Sequence, residues 1–164
     1  MANIRITREA QVQESVTRYV RDALIARGFP QSDWEFRAAY PYGLTALSTN
    51  IVAAGFTFDD GGRQFEIGSN FKERKYTIEF FVFGQTLTWA QSLGNAIKFA
   101  IEQDAIIPLL DITQMPPVAT NPPEVLELDA VHARRQPLND PEPWQEFVWY
   151  VLCQVTDYYD PKLT

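Results

Sequence analysis

Apolar residues recur at helical spacing in two segments of the chain, one starting at Thr7 and one starting at Thr86. Three or four residues separate successive apolar positions, which is the spacing of a helix with one buried face. Each threonine is suited to cap a helix N-terminus, and Gly28 is suited to end the first helix. The pattern therefore predicts helices from Thr7 to Arg27 and from Thr86 to Gln103.

Alternation of apolar and other residues predicts three strands farther along the chain. They run from Arg74 to Phe83, from Val125 to Arg135, and from Glu146 to Tyr158. The second has one apolar and one charged face, which predicts a half-exposed strand. The third would span about 43 Å at about 3.3 Å per residue, against a usual ~17–20 Å. We therefore expect this last strand to be central in the sheet and partly covered by a neighbouring subunit.

A turn signal divides residues 50–67 into two further strand segments. IVAAGFTF leads into DDGG, and RQFEI follows. Asp60 and Gly61 suit the central positions of a type I′ turn, because both positions need a positive φ. The sequence predicts a β-hairpin there, with a register that pairs Phe56 with Phe65 and Phe58 with Arg63.

The order of elements is helix, hairpin, strand, helix, strand, strand, with a short additional strand expected near residues 34–39. The proline-rich stretch from Met115 to Glu124 predicts an extended loop. Strands that are consecutive or joined by short loops favour antiparallel pairing, with amphipathic helices on one face. The sequence therefore predicts a single α+β domain over residues 1–164. Its architecture is a mostly antiparallel sheet with two main helices packed on one face, plus a projecting β-hairpin.

Charge and composition narrow the classes of function. The chain has 14 Lys and Arg against 21 Asp and Glu, a net charge of -7, and its pI is about 4.7. Such a surface does not attract a phosphate backbone, which disfavours tight binding of DNA or RNA. One cysteine excludes an intrachain disulfide and a thiolate zinc cage. No apolar run reaches the ~20 residues of a membrane helix and no signal peptide is visible, so we expect folding in a cytoplasm.

Candidate catalytic residues are few. His132 and Cys153 are the single histidine and the single cysteine, and a Cys/His dyad would need them adjacent in space. Alternation places His132 on the apolar face of its strand and Cys153 on the apolar face of the last strand, where a buried small side chain is expected. A small enzyme or ligand-binding domain remains an alternative, in which a pocket joins His132 to Asp129 or Glu127.

The DDGG stretch admits a metal site as well as a turn. Asp59, Asp60 and Glu66 offer oxygen ligands, but EF-hand spacing does not follow them. The sequence also contains no Walker loop, G-x-G-x-x-G, G-x-S-x-G or H-E-x-x-H motif. We therefore assign no catalytic, cofactor-binding or metal-binding residue, and we expect no cofactor.

Three segments match, in order, the elements of a known family. The first helix ends in ARGF, from Ala26 to Phe29, and a strand passes directly into a long amphipathic helix from Arg74 to Gln103. From Leu126 to Tyr159, a strand with charged residues, an acidic loop and a tryptophan precede a final alternating strand. Together these segments resemble the tail terminator (tail-to-head joining) proteins of long-tailed bacteriophages. The stretch from Thr113 to Pro123 is longer and richer in proline than the family's pattern.

The resemblance implies a structural virion protein and no enzyme. Proteins of this family form a hexameric ring on the last ring of the tail tube, end tube polymerisation and join the tail to the head connector. The implied partners are further copies of the chain, the tail tube protein and a connector or stopper protein. DNA would only pass through the lumen, and no membrane is involved. Assembly would take place in the host cytoplasm, and the alternative is another neck or tail-completion protein.

A ring subunit buries lateral faces, which favours strands or hairpins that project beyond the monomer core. The hairpin and the charged face of the strand from Val125 to Arg135 are the candidate surfaces. The basic clusters FKERK, from Phe71 to Lys75, and HARR, from His132 to Arg135, are typical of solvated strand ends, and the alternative is a salt bridge to an acidic neighbouring subunit. The candidate interface residues are Phe56, Phe58, Asp59, Asp60, Arg63, Phe65, Glu127, Asp129, Arg134 and Arg135.

Overall fold

The computed structural model describes residues 7–58, 63–64 and 72–159. Within these ranges the chain forms two α-helices, nine strands and one short 3-10 helix. In chain order they are α1 (Arg8–Ala26), β1 (Trp34–Arg37), β2 (Asn50–Phe58), β3 (Arg63–Gln64), β4 (Lys72–Phe83), α2 (Leu87–Gln103), β5 (Ile106–Pro108), β6 (Leu110–Asp111), β7 (Val118–Ala119), β8 (Val125–Arg135), the 3-10 helix (Pro143–Gln145) and β9 (Val148–Tyr159).

Both predicted helices form, and both threonine caps are confirmed. The Thr7 hydroxyl accepts a hydrogen bond from the Ala10 N–H at 3.3 Å, and the Thr86 hydroxyl accepts one from the Trp89 N–H at 3.2 Å. Gly28, with φ at 89°, follows the end of α1, since glycine tolerates a left-handed backbone. Neither described helix is long and apolar enough to cross a membrane.

Seven strands form one sheet in the order β1-β2-β4-β9-β8-β5, with β3 beside β4. β1 and β2 run parallel, and the other neighbouring strands of this sheet run antiparallel. The mostly antiparallel α+β fold with two helices is therefore confirmed. The predicted extended loop contributes one small piece of regular structure, because β7 pairs with β6 in a separate two-stranded sheet.

The main core lies between the helices and one face of the sheet. Its fully buried side chains include Val16, Val20, Leu93, Ile97, Ile78, Phe80, Val82, Val151, Cys153 and Val155. Burial of one such aliphatic or aromatic side chain contributes about 1.5–3 kcal/mol, so this layer stabilises the fold strongly. We name the opposite face of the sheet the outer face.

A second, smaller core covers one end of the outer face. Ile51, Phe83 and Val148 project from three neighbouring strands, and Trp144 of the 3-10 helix packs on them. The Phe83 and Trp144 rings have centroids 5.1 Å apart. Loop residues Tyr40, Leu44, Leu47 and Leu138 complete the cluster.

The predicted hairpin pairs differently from the expectation. Phe56 lies opposite Ile78 of β4, and Phe58 also pairs with a residue of β4. Phe65, the predicted partner of Phe56, lies outside the described residues. Arg63 belongs to β3, which lies alongside β4 as well, so the predicted pairing of Phe58 with Arg63 is wrong. The eight-residue ladder between β2 and β4 provides more backbone hydrogen bonds than a short local hairpin could.

The predicted central position of the last strand is confirmed. β9 is 12 residues long and pairs along its whole length with β4. On its other side it pairs with β8 from Leu126 to Arg135. Val151, Cys153 and Val155 face the main core, as the alternation predicted.

An acidic side chain continues the core-facing side of β9. Asp157 is fully buried, and the Arg8 guanidinium donates to both of its carboxylate oxygens at 2.7 and 2.9 Å. Arg8 also donates to the carboxylate of Glu124 at 2.9 Å. The Arg74 guanidinium lies 4.7 Å from the centroid of the Tyr159 ring. A buried carboxylate is tolerated here because charge-assisted hydrogen bonds replace its hydration.

Replacement of Asp157 by Ala would leave Arg8 with its charge mostly buried and with Glu124 as its remaining ion-pair partner among the described residues. We expect a loss of about 3–5 kcal/mol in the free energy of unfolding, measured by urea denaturation. The matched control is Glu35→Ala, which removes the exposed ion pair with Arg37 and should cost less than about 1 kcal/mol. An equal loss in the two variants would show that the buried pair does not stabilise the fold.

Gly94 lies inside α2, where the absence of a side chain could give room for close approach of another backbone. The neighbour is instead the Trp149 side chain: a Cβ atom at residue 94 would lie 2.7 Å from its Cγ. The indole ring of Trp149 therefore occupies the space that a side chain at residue 94 would fill.

Gly94→Ala should destabilise the protein although alanine favours helices. Overpacking against the indole costs about 1–3 kcal/mol, whereas the gain in helix propensity is at most ~1 kcal/mol. Thermal unfolding monitored by circular dichroism should show a lower Tm for Gly94→Ala. Gln91→Ala, at an exposed position of α2, should leave Tm nearly unchanged, and Gly94→Ala combined with Trp149→Phe should recover part of the loss.

Candidate subunit interface

The middle of the outer face is open in the part of the chain that the structure describes. The loops of the smaller core cover only the end of the face that holds Phe83 and Val148. Beyond that end the face is built from partly buried and exposed side chains of β4, β9 and β8. They are Thr77, Glu79, Leu152, Gln154, Thr156, Glu127, Asp129 and His132.

The charged face predicted for β8 is part of this surface. Glu127 lies opposite Thr156, and Asp129 lies opposite Gln154, so both acids share the outer face. Both are exposed. The Tyr158 hydroxyl donates to Glu127 Oε2 at 3.3 Å. The predicted half-exposed character of the strand is confirmed at these two positions.

A third acid, Glu79 of β4, lies nearer the middle of the outer face. The Tyr150 hydroxyl donates to its Oε1 at 2.7 Å. Burial, together with the hydrogen bond and the charge of Glu79, raises the pKa of Tyr150 to about 12. Tyr150 therefore stays protonated near neutral pH and remains a hydrogen-bond donor to Glu79.

A β-bulge changes which residues of β8 face outward. Ala130 lies opposite Cys153, but the next paired residue is His132, opposite Leu152. His132 therefore lies on the outer face, and the prediction that it shares the apolar face of β8 is wrong. After the bulge, Arg134 lies opposite Tyr150 on the outer face, and Arg135 lies opposite Trp149 on the side of the helices. The sequence carries no clear signal for the extra residue.

The predicted hairpin residues fall into three groups. Phe56 is half-buried on the helix side and stacks on Tyr76 with ring centroids 5.4 Å apart, so it packs against the core of its own chain. The backbones of Phe58 and Arg63 lie along β4. Asp59, Asp60 and Phe65 lie outside the described residues, as does the Asp60-Gly61 turn. An interface role for these positions stays a prediction.

The geometry does not bring the catalytic candidates together. His132 lies on the outer face, whereas Cys153 is fully buried on the helix side. Burial raises the pKa of the Cys153 thiol to about 12, so it is not a nucleophile at neutral pH. Two surface hollows of about 270 and 430 Å³ have other linings, without His132, Asp129 or Glu127. Among the described residues, no group of His, Cys, Asp and Glu could hold a metal ion.

The sequence matches no protein-family model, and it matches no curated protein. The function therefore has to be argued from the sheet and its surfaces.

The buried thiol predicts a pH dependence of stability. The unfolded thiol ionises near pH 8.5 while the folded thiol keeps its proton to about 12, so stability falls as pH rises through this window. Relative to Cys153→Ala, the native chain should lose about 1.4 kcal/mol of unfolding free energy per pH unit above about pH 8.5. Urea denaturation of both proteins from pH 7 to 10 measures the difference. A difference that is independent of pH would contradict the assignment of a protected thiol.

Proposed function

We propose that this protein is a ring-forming virion subunit that caps the tail tube of a long-tailed bacteriophage and joins it to the head connector. The observation that carries the proposal is the open outer face in the middle of a sheet whose central strand is 12 residues long. The two described helices cover the other face of this sheet. A surface that the described part of the chain leaves uncovered is available to neighbouring subunits or to a lumen.

The charge of the outer face supports passage of DNA without capture. On β4, β9 and β8 the outer face carries more acids than bases, and the whole chain carries a net charge of -7. The acids are Glu73, Glu79, Glu127 and Asp129, and the bases are Lys75 and Arg134. Ring symmetry multiplies this charge around the axis. The resulting field repels phosphate groups, so a genome could move through such a ring without adhering to it.

The strand lengths of the sheet support a subunit that assembles with neighbouring subunits. A strand of 12 residues is about twice the usual length, and the lateral strands β1 and β5 are only four and three residues long. The sheet is therefore long in the middle and incompletely covered at its edges. Edges and faces of this kind are typical of proteins that complete their burial by assembly.

Tail tubes from the same source provide the direct test. Purified protein should form rings, in solution or on the tube, that appear at the tube end in negative-stain electron microscopy. Tubes that carry such a ring should stop elongating when further tube protein is added, because the ring covers the surface on which the next tube ring would assemble. Tubes incubated without the protein are the control and should continue to grow.

The competing assignments predict different images. A strict monomer that neither caps tubes nor binds a connector would contradict the proposal. Density at the neck combined with continued tube growth would favour a stopper or connector component. A ring bound at the tube end together with arrested growth would support the terminator function.

A further inference from the structure

One lateral edge of the sheet ends on uncharged, unpaired backbone. β1 pairs with β2 only over residues 50–53, and in the described chain no strand lies on that side of residues 54–58. The open stretch reads Ala-Gly-Phe-Thr-Phe, without a charge or a proline. Proteins usually protect exposed edges with charges, prolines or bulges, and an edge without them is a template for another strand.

The opposite lateral edge also exposes part of a strand. β5 pairs with residues 125–127 of β8, and the Leu128 N–H donates to the Ala105 carbonyl at 2.7 Å. Farther along, no described strand lies against residues 129–135 on the side away from β9. After the bulge, residues 132–135 are again regularly paired with β9, so they form a straight open edge of about 13 Å.

Gly55 leaves a space without a side chain on the outer face, next to the open edge of β2. Gly55 lies opposite Glu79, and a Cβ built on Gly55 would have the Glu79 Oε2 as its nearest atom, at 3.8 Å. The Glu79 carboxylate therefore reaches over the glycine toward the open edge. Its only described partner is the Tyr150 hydroxyl, which leaves acceptor capacity for a cation from outside the chain.

A positively charged side chain, that of Arg134, lies on the outer face at the edge formed by β8. Arg134 is exposed, lies on the outer face, and makes no ion pair with any described residue. Strand directions reverse at each step from β2 through β4 and β9 to β8, so β2 and β8 are antiparallel. A second copy that extends the same sheet would therefore place its β8 antiparallel to β2, as most strands of this sheet pair.

We propose that the edge of β2 binds the edge of β8 of a second copy of this chain, with the neighbour's Arg134 opposite Gly55 and paired with Glu79. Arg134 of the second copy, Gly55 and Glu79 would then form a row across three adjacent strands, on one face of the sheet. The backbones of Arg134 and Glu79 would lie two strand spacings apart, about 10 Å, and the two long side chains together span this distance. Main-chain hydrogen bonds supply affinity, and the ion pair fixes the register. The contact joins two different edges, so its repetition produces a ring or a filament. The inference rests on the proposed function only for the choice of a ring over a filament.

Cysteine pairs test this contact directly. With Arg134 opposite Gly55, the antiparallel register places His132 of the neighbouring copy opposite Thr57, and both positions lie on the outer face. Thr57→Cys and His132→Cys therefore bring two thiols together while Arg134 and Glu79 stay in place. Mild oxidation of the double variant should give a ladder of covalent multimers on a non-reducing gel, because every copy supplies both halves of the contact. Each single variant should give no ladder. The native Cys153 is buried and does not compete.

Charge exchange tests the ion pair by a second route. Arg134→Glu should lower the association constant, measured by sedimentation velocity, by about tenfold or more, because it places two acids together. The double variant Arg134→Glu with Glu79→Arg should restore association. Glu35→Arg is the control charge reversal on the same face and should have little effect. Circular dichroism of each variant separates loss of contact from loss of fold.

The outcomes separate this inference from the proposed function. A ladder without arrest of tube growth would support the contact and contradict the terminator function. Oligomers or capped tubes without cross-linking in the double variant would contradict the contact and leave the function standing. A covalent dimer from Thr57→Cys alone would mean that two β2 edges meet, which overturns the head-to-tail contact. A strict monomer in all conditions, with no cross-link, would contradict both.

Discussion

The last strand of the chain lies at the centre of the sheet, and the rest of the fold is arranged around it. β9 separates β4 from β8, so neither half of the sheet reaches the other until residues 148–159 are in place. The core-facing residues of β9 also pack against α2, where the Trp149 ring fills the space left by Gly94. A large share of the long-range contacts therefore waits for the C-terminal segment. A topology of this kind favours slow, cooperative folding, because the loop-closure entropy is lost before the sheet is complete.

The buried ion pair between Arg8 and Asp157 ties the first helix to this central strand. A charged group inside the protein is costly unless its hydrogen bonds are replaced, and Asp157 receives two from one guanidinium. A slip of β9 by one residue would turn Asp157 outward and bring Tyr158 into its place. The pair therefore penalises the wrong register of β9, in addition to fixing the start of α1. Hydrophobic contacts such as those of Val155 are less selective, because another apolar side chain could replace them.

Periodicity in the sequence predicted the parts of the fold that depend on local burial. The helices, β4, β8 and β9 each bury one regular face, so their types and approximate bounds could be read from the spacing of apolar residues. The pairing partner of β2 could not be read in this way. The turn signal at Asp60-Gly61 is local in the sequence, whereas the long ladder with β4 forms only in three dimensions. The bulge between Ala130 and His132 also leaves no periodic trace, yet it turns His132 outward. Asp157 was predictable in principle, since it continues the apolar phase of β9 at a position where an acid requires a partner.

The two lateral edges of the sheet differ in a way that favours asymmetric assembly. The edge of β8 carries a bulge and two arginines, which protect it against indiscriminate pairing. The edge of β2 beyond Ala53 has neither kind of protection in its open residues. Two unprotected edges would allow like to pair with like and would give a closed dimer. In this protein the charges of β8 repel a second β8 and need a specific acceptor, which disfavours a closed dimer through β8 and favours pairing of β8 with β2. The geometry around Gly55 and Glu79 provides such an acceptor, and it lies on the edge that lacks charges of its own.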